Sequence, residues 1–371
     1  MKRRRLTANV PLALAVALVA LAQPRAAQAC AGCRNPSIPI TRLTNVQMAP
    51  GEIRGSAILS ATSINVVHEA GCADLANCHE VPAQPLYLHD QDIYPTELRA
   101  VFELGLSPSW GIEAQLPFRV LATRIRFATP AGAPYVPLDP DVHHRNETLA
   151  GIADPWLLGR YGTFLSGALV TLRAGLSLPI GRTEQDPFAL GDIGIRHQHI
   201  QFGTGTFDPV AAFDMSKGFG KLQLSAYVQG QISVYQNRHG FRAPARAYAG
   251  VQLGTRLVGK LSGAIGPDVL YEGPERWGGA IRQDANLGRT EVLIGTAISH
   301  NFDTGLITLV VRVPVYRHIV QGSEVLGRLS SPVMASLIFS RSFYRARRPA
   351  PAHARRSGAA RGGARRRARS R

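Results

Sequence analysis

In the stretch RHQHIQ, His197 and His199 stand two positions apart, so on an extended backbone both imidazoles leave the same face. With His143 and His144, or with His79 and His89, they could gather and take a transition metal through their ring nitrogens. Their spacing matches no metal signature, so they are weak candidates, and neither a metal nor any other cofactor is expected. Four cysteines form two close pairs. Cys72 and Cys78 bracket CADLANC in a polar stretch, which reads as a disulfide stapling a loop. Cys30 and Cys33, in CAGC, could form a disulfide, a redox pair or half of a metal site. No βαβ pattern surrounds them, and CAGCR lacks the histidine of a haem attachment motif. Nucleophilic hydrolysis needs a serine, a histidine to take its proton and a group to orient that histidine. YQNRHG holds Asn237 and His239 but no nucleophile, so no catalytic residue is assigned.

Most of the remaining chemistry-bearing residues are charges that alternate with apolar residues. In ELRAVFELGL, Glu97, Arg99 and Glu103 stand opposite Leu98, Ala100, Phe102, Leu104 and Leu106. Arg173 in ALVTLRAGLSL, Arg256 in RAYAGVQLGTRL and Arg312 in ITLVVRVPV sit in the same way behind apolar rows. At two residues per repeat these are strands with one apolar and one polar face; on a helix both sets would scatter. KLQLSAYVQGQISVY, residues 221–235, keeps the alternation for fifteen residues, long for a soluble strand.

Twelve strands are expected, near 52–66, 97–106, 110–126, 154–164, 168–180, 206–216, 221–235, 245–257, 260–272, 289–300, 305–317 and 332–343. Their links alternate between tight turns (SPS, LSG, GFG, VG, FDTG) and longer polar loops (67–96, 127–153, 181–205, 273–288). Transmembrane β-barrels sort their loops this way, and an even strand number returns both termini to one side. Lipid offers no hydrogen-bond partners, so a sheet persists there only if it closes on itself. The expected fold class is therefore all-β: a transmembrane antiparallel up-and-down barrel of about 12 strands.

The ends differ from this body. The formal charge of +17 lies mostly outside it: residues 1–29 carry +5, residues 344–371 carry eleven arginines and no acid, and about +1 is left for residues 30–343. A nucleic-acid-binding surface is thereby excluded from the middle of the chain. KRRR followed by VPLALAVALVALA reads as a signal peptide over 1–29, with cleavage expected after Ala29; lipidation of Cys30 is the alternative. Residues 30–51 are then a periplasmic segment carrying CxxC, 52–343 the barrel, and 344–371 a disordered arginine-rich tail. The last strand carries Val333, Ala335, Leu337 and Phe339 outward and ends on the aromatic Phe343.

Two segments carry a resemblance. GIADPWLLGRYGTF (151–164) and HQHIQFGTGTFDPVAAFDMSK (197–217) resemble the Gly-x-x-Asp…Arg-Tyr and Gln-x-Gly-x-Gly-x-x-Asp-Pro strands of outer-membrane proteins grouped with the phenol-degradation meta-pathway transporters. The resemblance implies a β-barrel channel and does not carry a substrate across. In this frame GTGTFDP is a loop re-entering the barrel, and Asp154, Arg160, Asp208 and Asp214 point inward. The interior charges have both signs, so they either pair with each other or line a water path, and no strong anion or cation preference follows. The function expected is passive passage of small solutes through the outer membrane of a Gram-negative bacterium, with outer-membrane lipid and the barrel assembly machinery as partners and no nucleic acid. A non-conducting structural or adhesive barrel is the alternative. A phospholipase-type enzyme is weaker still, because the chain has no His-x-x-Ser-Asn-Gly stretch.

Overall fold

The structure, a computed structural model, describes residues 27–28, 47–70, 84–138, 145–191, 193–282, 285–320 and 328–343. The expected signal peptide (save the 27–28 pair), Cys30, Cys33, Cys72, Cys78, His79, His143, His144 and the arginine-rich tail lie outside the described residues.

Twelve antiparallel strands close into a barrel. They are β1 (Ile53–Thr62), β2 (Tyr87–Gly105), β3 (Trp110–Ala128), β4 (Trp156–Leu165), β5 (Ala168–Ser177), β6 (Asp208–Phe219), β7 (Leu222–Gln231), β8 (Arg246–Val258), β9 (Leu261–Glu272), β10 (Arg289–Phe302), β11 (Gly305–Ile319) and β12 (Met334–Phe343). Each pairs with its neighbours in sequence, and β12 pairs with β1 from Phe343↔Ile53 to Met334↔Thr62, which leaves no free edge. Inside this closing seam, Ser56 bonds Ser340 (2.8 Å) and Ser60 bonds Ser336 (2.9 Å).

One rim carries only short turns, at 106–109, 166–167, 220–221, 259–260 and 303–304. One of the two-residue turns joins Leu165 to Ala168 through Ser166 (φ 49°) and Gly167 (φ 77°), both left-handed, which matches the right-handed twist of the flanking strands. The opposite rim carries long connections, and there the wall rises on one side. The upper halves of β2 and β3 extend beyond the barrel and pair with Ile64–Ala70 and Glu147–Ile152; Ile64–Ala70 also pairs with Arg328–Ser330, which pairs in turn with Ala27–Gln28.

This raised sheet differs from the long polar loop expected over 67–96. Its inward residues Ile64, Val66, Ile93 and Leu121 are buried against Ile200 and Phe202, a loop contact that local alternation does not reveal. β7 also stops at Gln231, short of the expected Tyr235. Beyond it Ser233 bonds Thr206 (3.1 Å), and the Asn237 side chain accepts from the backbone N–H groups of His239 and Phe241, turning the chain inward.

Burial alternates along nearly every strand. The outward rows are exposed and apolar: Leu98 and Phe102 on β2, Ile112 and Leu116 on β3, Leu172 and Leu176 on β5, Ile307 and Leu309 on β11, Leu337 and Phe339 on β12. Trp110, Phe164, Phe219 and Phe343 are exposed toward the short-turn rim, and Tyr94, Tyr235, Tyr271 and Tyr316 toward the other. About ten residues at about 3.3 Å rise and about 40° tilt put roughly 25 Å between such rings, the height of the apolar band of a membrane barrel.

Candidate functional site: the charged barrel interior

Because side chains alternate across a strand, every residue opposite an outward apolar row must enter the barrel. The structure places Glu97, Arg99, Glu103, Asp154, Arg160, Arg173, Asp208, Asp214 and Arg312 buried on the interior. Arg256 keeps the same parity but sits near the short-turn end of β8, where it is exposed.

The buried charges form two lattices. In the first, on β1 to β6, Arg54 donates through Nε to Glu103 (2.5 Å), which Arg160 also approaches at 3.9 Å. Glu97 is shared by Arg99 and Arg119, each at 2.7 Å. Arg173 pairs with Glu113 at 2.9 Å and with Asp214. Gln115 joins the groups, accepting from Arg99 (2.7 Å) and donating to Glu113 (2.6 Å), while the Arg99 guanidinium lies over the Trp156 ring. In the second lattice, Asp268 accepts from Arg312 (2.8 Å), Tyr227 (2.5 Å) and Tyr248 (3.1 Å). Nearer the long-loop rim, Glu272 meets Arg246 (3.2 Å) and Arg289 (3.8 Å), and Glu291 meets Arg317 (2.5 Å) and Arg289 (3.9 Å). Opposite charges thus neutralise one another where desolvation makes a lone charge costly.

Asp154 and Asp208 do different work. Asp154 accepts from the backbone of Gly181 (2.8 Å) and from both the backbone (2.6 Å) and hydroxyl (2.9 Å) of Thr204. Asp208 accepts from the Thr206 hydroxyl (2.6 Å) and from Gln231 (3.2 Å). The two motif segments therefore meet: the carboxylate of GIAD holds the GTGT loop against the inner wall. A Cβ on Gly203 would stand 2.6 Å from Asp154 Oδ1 and 2.5 Å from the Gly181 carbonyl, so the loop can approach only as glycine.

Above the lattices, residues 178–191, 193–207, 232–245, 273–282 and 285–288 fold over the opening. Phe241, Trp277 and Ala285 are buried together with Phe188 against them, and the Phe241 and Trp277 ring centroids are 4.9 Å apart. His197 and His199 lie in this cap, each 7% exposed. His197 Nδ1 faces the Ile195 carbonyl at 2.8 Å, and the two Nε2 atoms stand 3.1 Å apart. Among the described residues no group of three or more histidine, cysteine or acidic side chains is placed to hold a metal.

Sequence reasoning did not single out Arg54, Tyr227, Tyr248, Asp268, Glu272 or Arg317 as interior partners. Tyr227 was visible on the polar row of β7. Asp268 follows Pro267 in IGPDVL, where the alternation is weak and the charge stands alone.

No protein-family model and no curated protein matches the sequence. Solved structures do match. An outer membrane channel from Pseudomonas putida F1 superposes with a TM-score of 0.54 over 82% of this chain and 100% of that chain, at 10% sequence identity. At that identity the likeness speaks for the fold. The chain has the fold of an outer-membrane β-barrel. A TodX monoaromatic hydrocarbon channel mutant (TM-score 0.37, 8% identity, 80% of this chain and 91% of that one) and a FadL homologue from Pseudomonas aeruginosa (0.34, 9%, 79% and 89%) are too distant to carry an argument.

Proposed function

We propose that the protein is a passive channel for small solutes in the outer membrane of a Gram-negative bacterium. The observation that carries this reading is the polarity of the interior. A barrel needed only as a wall could fill its inside with packed aliphatic side chains, whereas this one places arginines and carboxylates there at the cost of desolvating them. The neighbouring fold belongs to an outer membrane channel, which supports the same reading. An exterior apolar band with aromatic rims suits lipid as its solvent, and the aromatic Phe343 at the end of the closing strand suits recognition by the assembly machinery. The reading is of transport rather than catalysis, and the kinship with phenol-degradation meta-pathway transporters stays with it as a proposal, carried by the motif residues Asp154 and Asp208.

The test is planar-bilayer recording of the refolded full chain in potassium chloride. Stepwise currents are expected. Protein that is folded, judged by faster gel migration before boiling than after, yet electrically silent would favour the structural-barrel alternative. The loop cap and the interlocked ion pairs are the features on which that alternative rests.

A further inference from the structure

Between the ion-pair lattices and the loop cap lies a cavity lined by Arg119, Arg246, Ser177, Gln201, Trp156 and Phe241, among others. Its wall holds hydrogen-bond donors that have no partner among the described residues. The ion pair of Arg119 runs through Nε to Glu97 and that of Arg246 through Nε to Glu272, leaving the terminal amino groups of both guanidinium forks. Ser177 has no exposed surface, and its Oγ has no partner. Gln201 is 3% exposed; its Oε1 accepts from the Glu184 backbone at 2.7 Å, and its Nε2 has no partner. The acid on this wall, Asp154, has both oxygens engaged by Gly181 and Thr204.

We propose that this cavity is a binding subsite for a small monocarboxylate with a short apolar body. The inference rests on the channel reading, since its ligand would be a solute in passage. A carboxylate offers about four lone-pair sites on two oxygens, matching two guanidinium forks, a hydroxyl and an amide N–H. Trp156 and Phe241 supply the apolar side. A cation would face two arginines, and a neutral apolar solute would leave the donors unmatched in a desolvated space.

The experiment is calorimetric titration of the refolded full chain in detergent micelles with sodium butanoate and with butan-1-ol, each corrected against empty micelles. Butanoate is expected to saturate, with butan-1-ol at least tenfold weaker. Arg119→Gln is expected to weaken butanoate tenfold or more and Ser177→Ala about threefold. Arg126→Gln, at an exposed arginine of the raised sheet, is expected to change nothing. The proposal is overturned if butanoate does not bind, if the alcohol binds equally, or if both cavity variants bind as the parent does. Should Arg119→Gln fail to fold, Ser177→Ala decides the matter alone. Calorimetry needs no ion flow, so binding in a barrel that is silent in bilayers would overturn the channel reading and leave the subsite standing.

Discussion

Asp268 has no exposed surface, and its carboxylate takes one guanidinium and two phenol hydroxyls from three other strands. Removing one partner of such a cluster leaves a buried charge uncompensated, which costs about 3–5 kcal/mol, whereas removing both charges can be nearly neutral. Arg312→Met is therefore expected to destabilise the folded barrel by about 3 kcal/mol in urea titrations followed by gel mobility. Adding Asp268→Asn to it should recover at least half of that loss; a double variant as unstable as the single would mean that the pair is not coupled. Most of the interior charges were legible in the sequence, because Glu97, Arg99 and Glu103 fall opposite leucines and phenylalanine at strict period two. Which acid meets which base was not. Glu97↔Arg119 follows from the register between β2 and β3, and Arg173 reaches Asp214 diagonally because the register between β5 and β6 sets Asp214 opposite Thr171; register is a property of two strands together. The histidine pair was legible only as spacing, since its burial depends on a loop that folds over the barrel.

At the scale of elements, two glycines make room for that same carboxylate. A Cβ on Gly250 in β8 would stand 2.1 Å from Asp268 Oδ1, and one on Gly295 in β10 would stand 2.8 Å from Oδ2. Gly250→Ala is thus expected to lower the yield of heat-modifiable protein on refolding well below that of an alanine at Gly218, where a Cβ meets nothing. Equal yields would show that the cluster can shift to accept the methyl. The outward rows carry a second prediction. Leu309→Arg, in the middle of the apolar band, should cost about 2–4 kcal/mol, and Phe164→Arg, at the short-turn rim, about 1 kcal/mol or less. Equal costs at both depths in lipid-vesicle refolding would argue against a membrane-spanning band. All twelve strands could be placed from alternation and turn residues. The raised sheet could not, because Ile64–Ala70 and the upper half of β2 mix His68, His89, Asp90 and Asp92 with aliphatic residues, and only packing against Ile200 and Phe202 assigns the inner face.

For the whole molecule, the barrel is a wall, the ion-pair lattices partly fill it, and the loops cover one end. Asp154 ties the longest covering segment to that wall, so Asp154→Ala should release the 203–206 stretch while leaving the twelve strands intact. On the proposed channel reading, larger or longer-lived conductance steps than those of the parent protein are expected, with unchanged heat-modified mobility; an identical conductance would place the limiting constriction in the lattices below. The arrangement of the wall itself can be read from the chain's three tryptophans. Trp110 is 59% exposed on the outer face, whereas Trp156 and Trp277 are 4% and 1% exposed within. Variants keeping only Trp110 or only Trp156, the others replaced by phenylalanine, can be refolded into vesicles of lipid brominated in the acyl chains near the headgroups. Strong quenching of Trp110 and little quenching of Trp156 is the predicted result; a shielded Trp110, or a Trp156 quenched as strongly, would contradict a closed barrel with lipid outside and charge within.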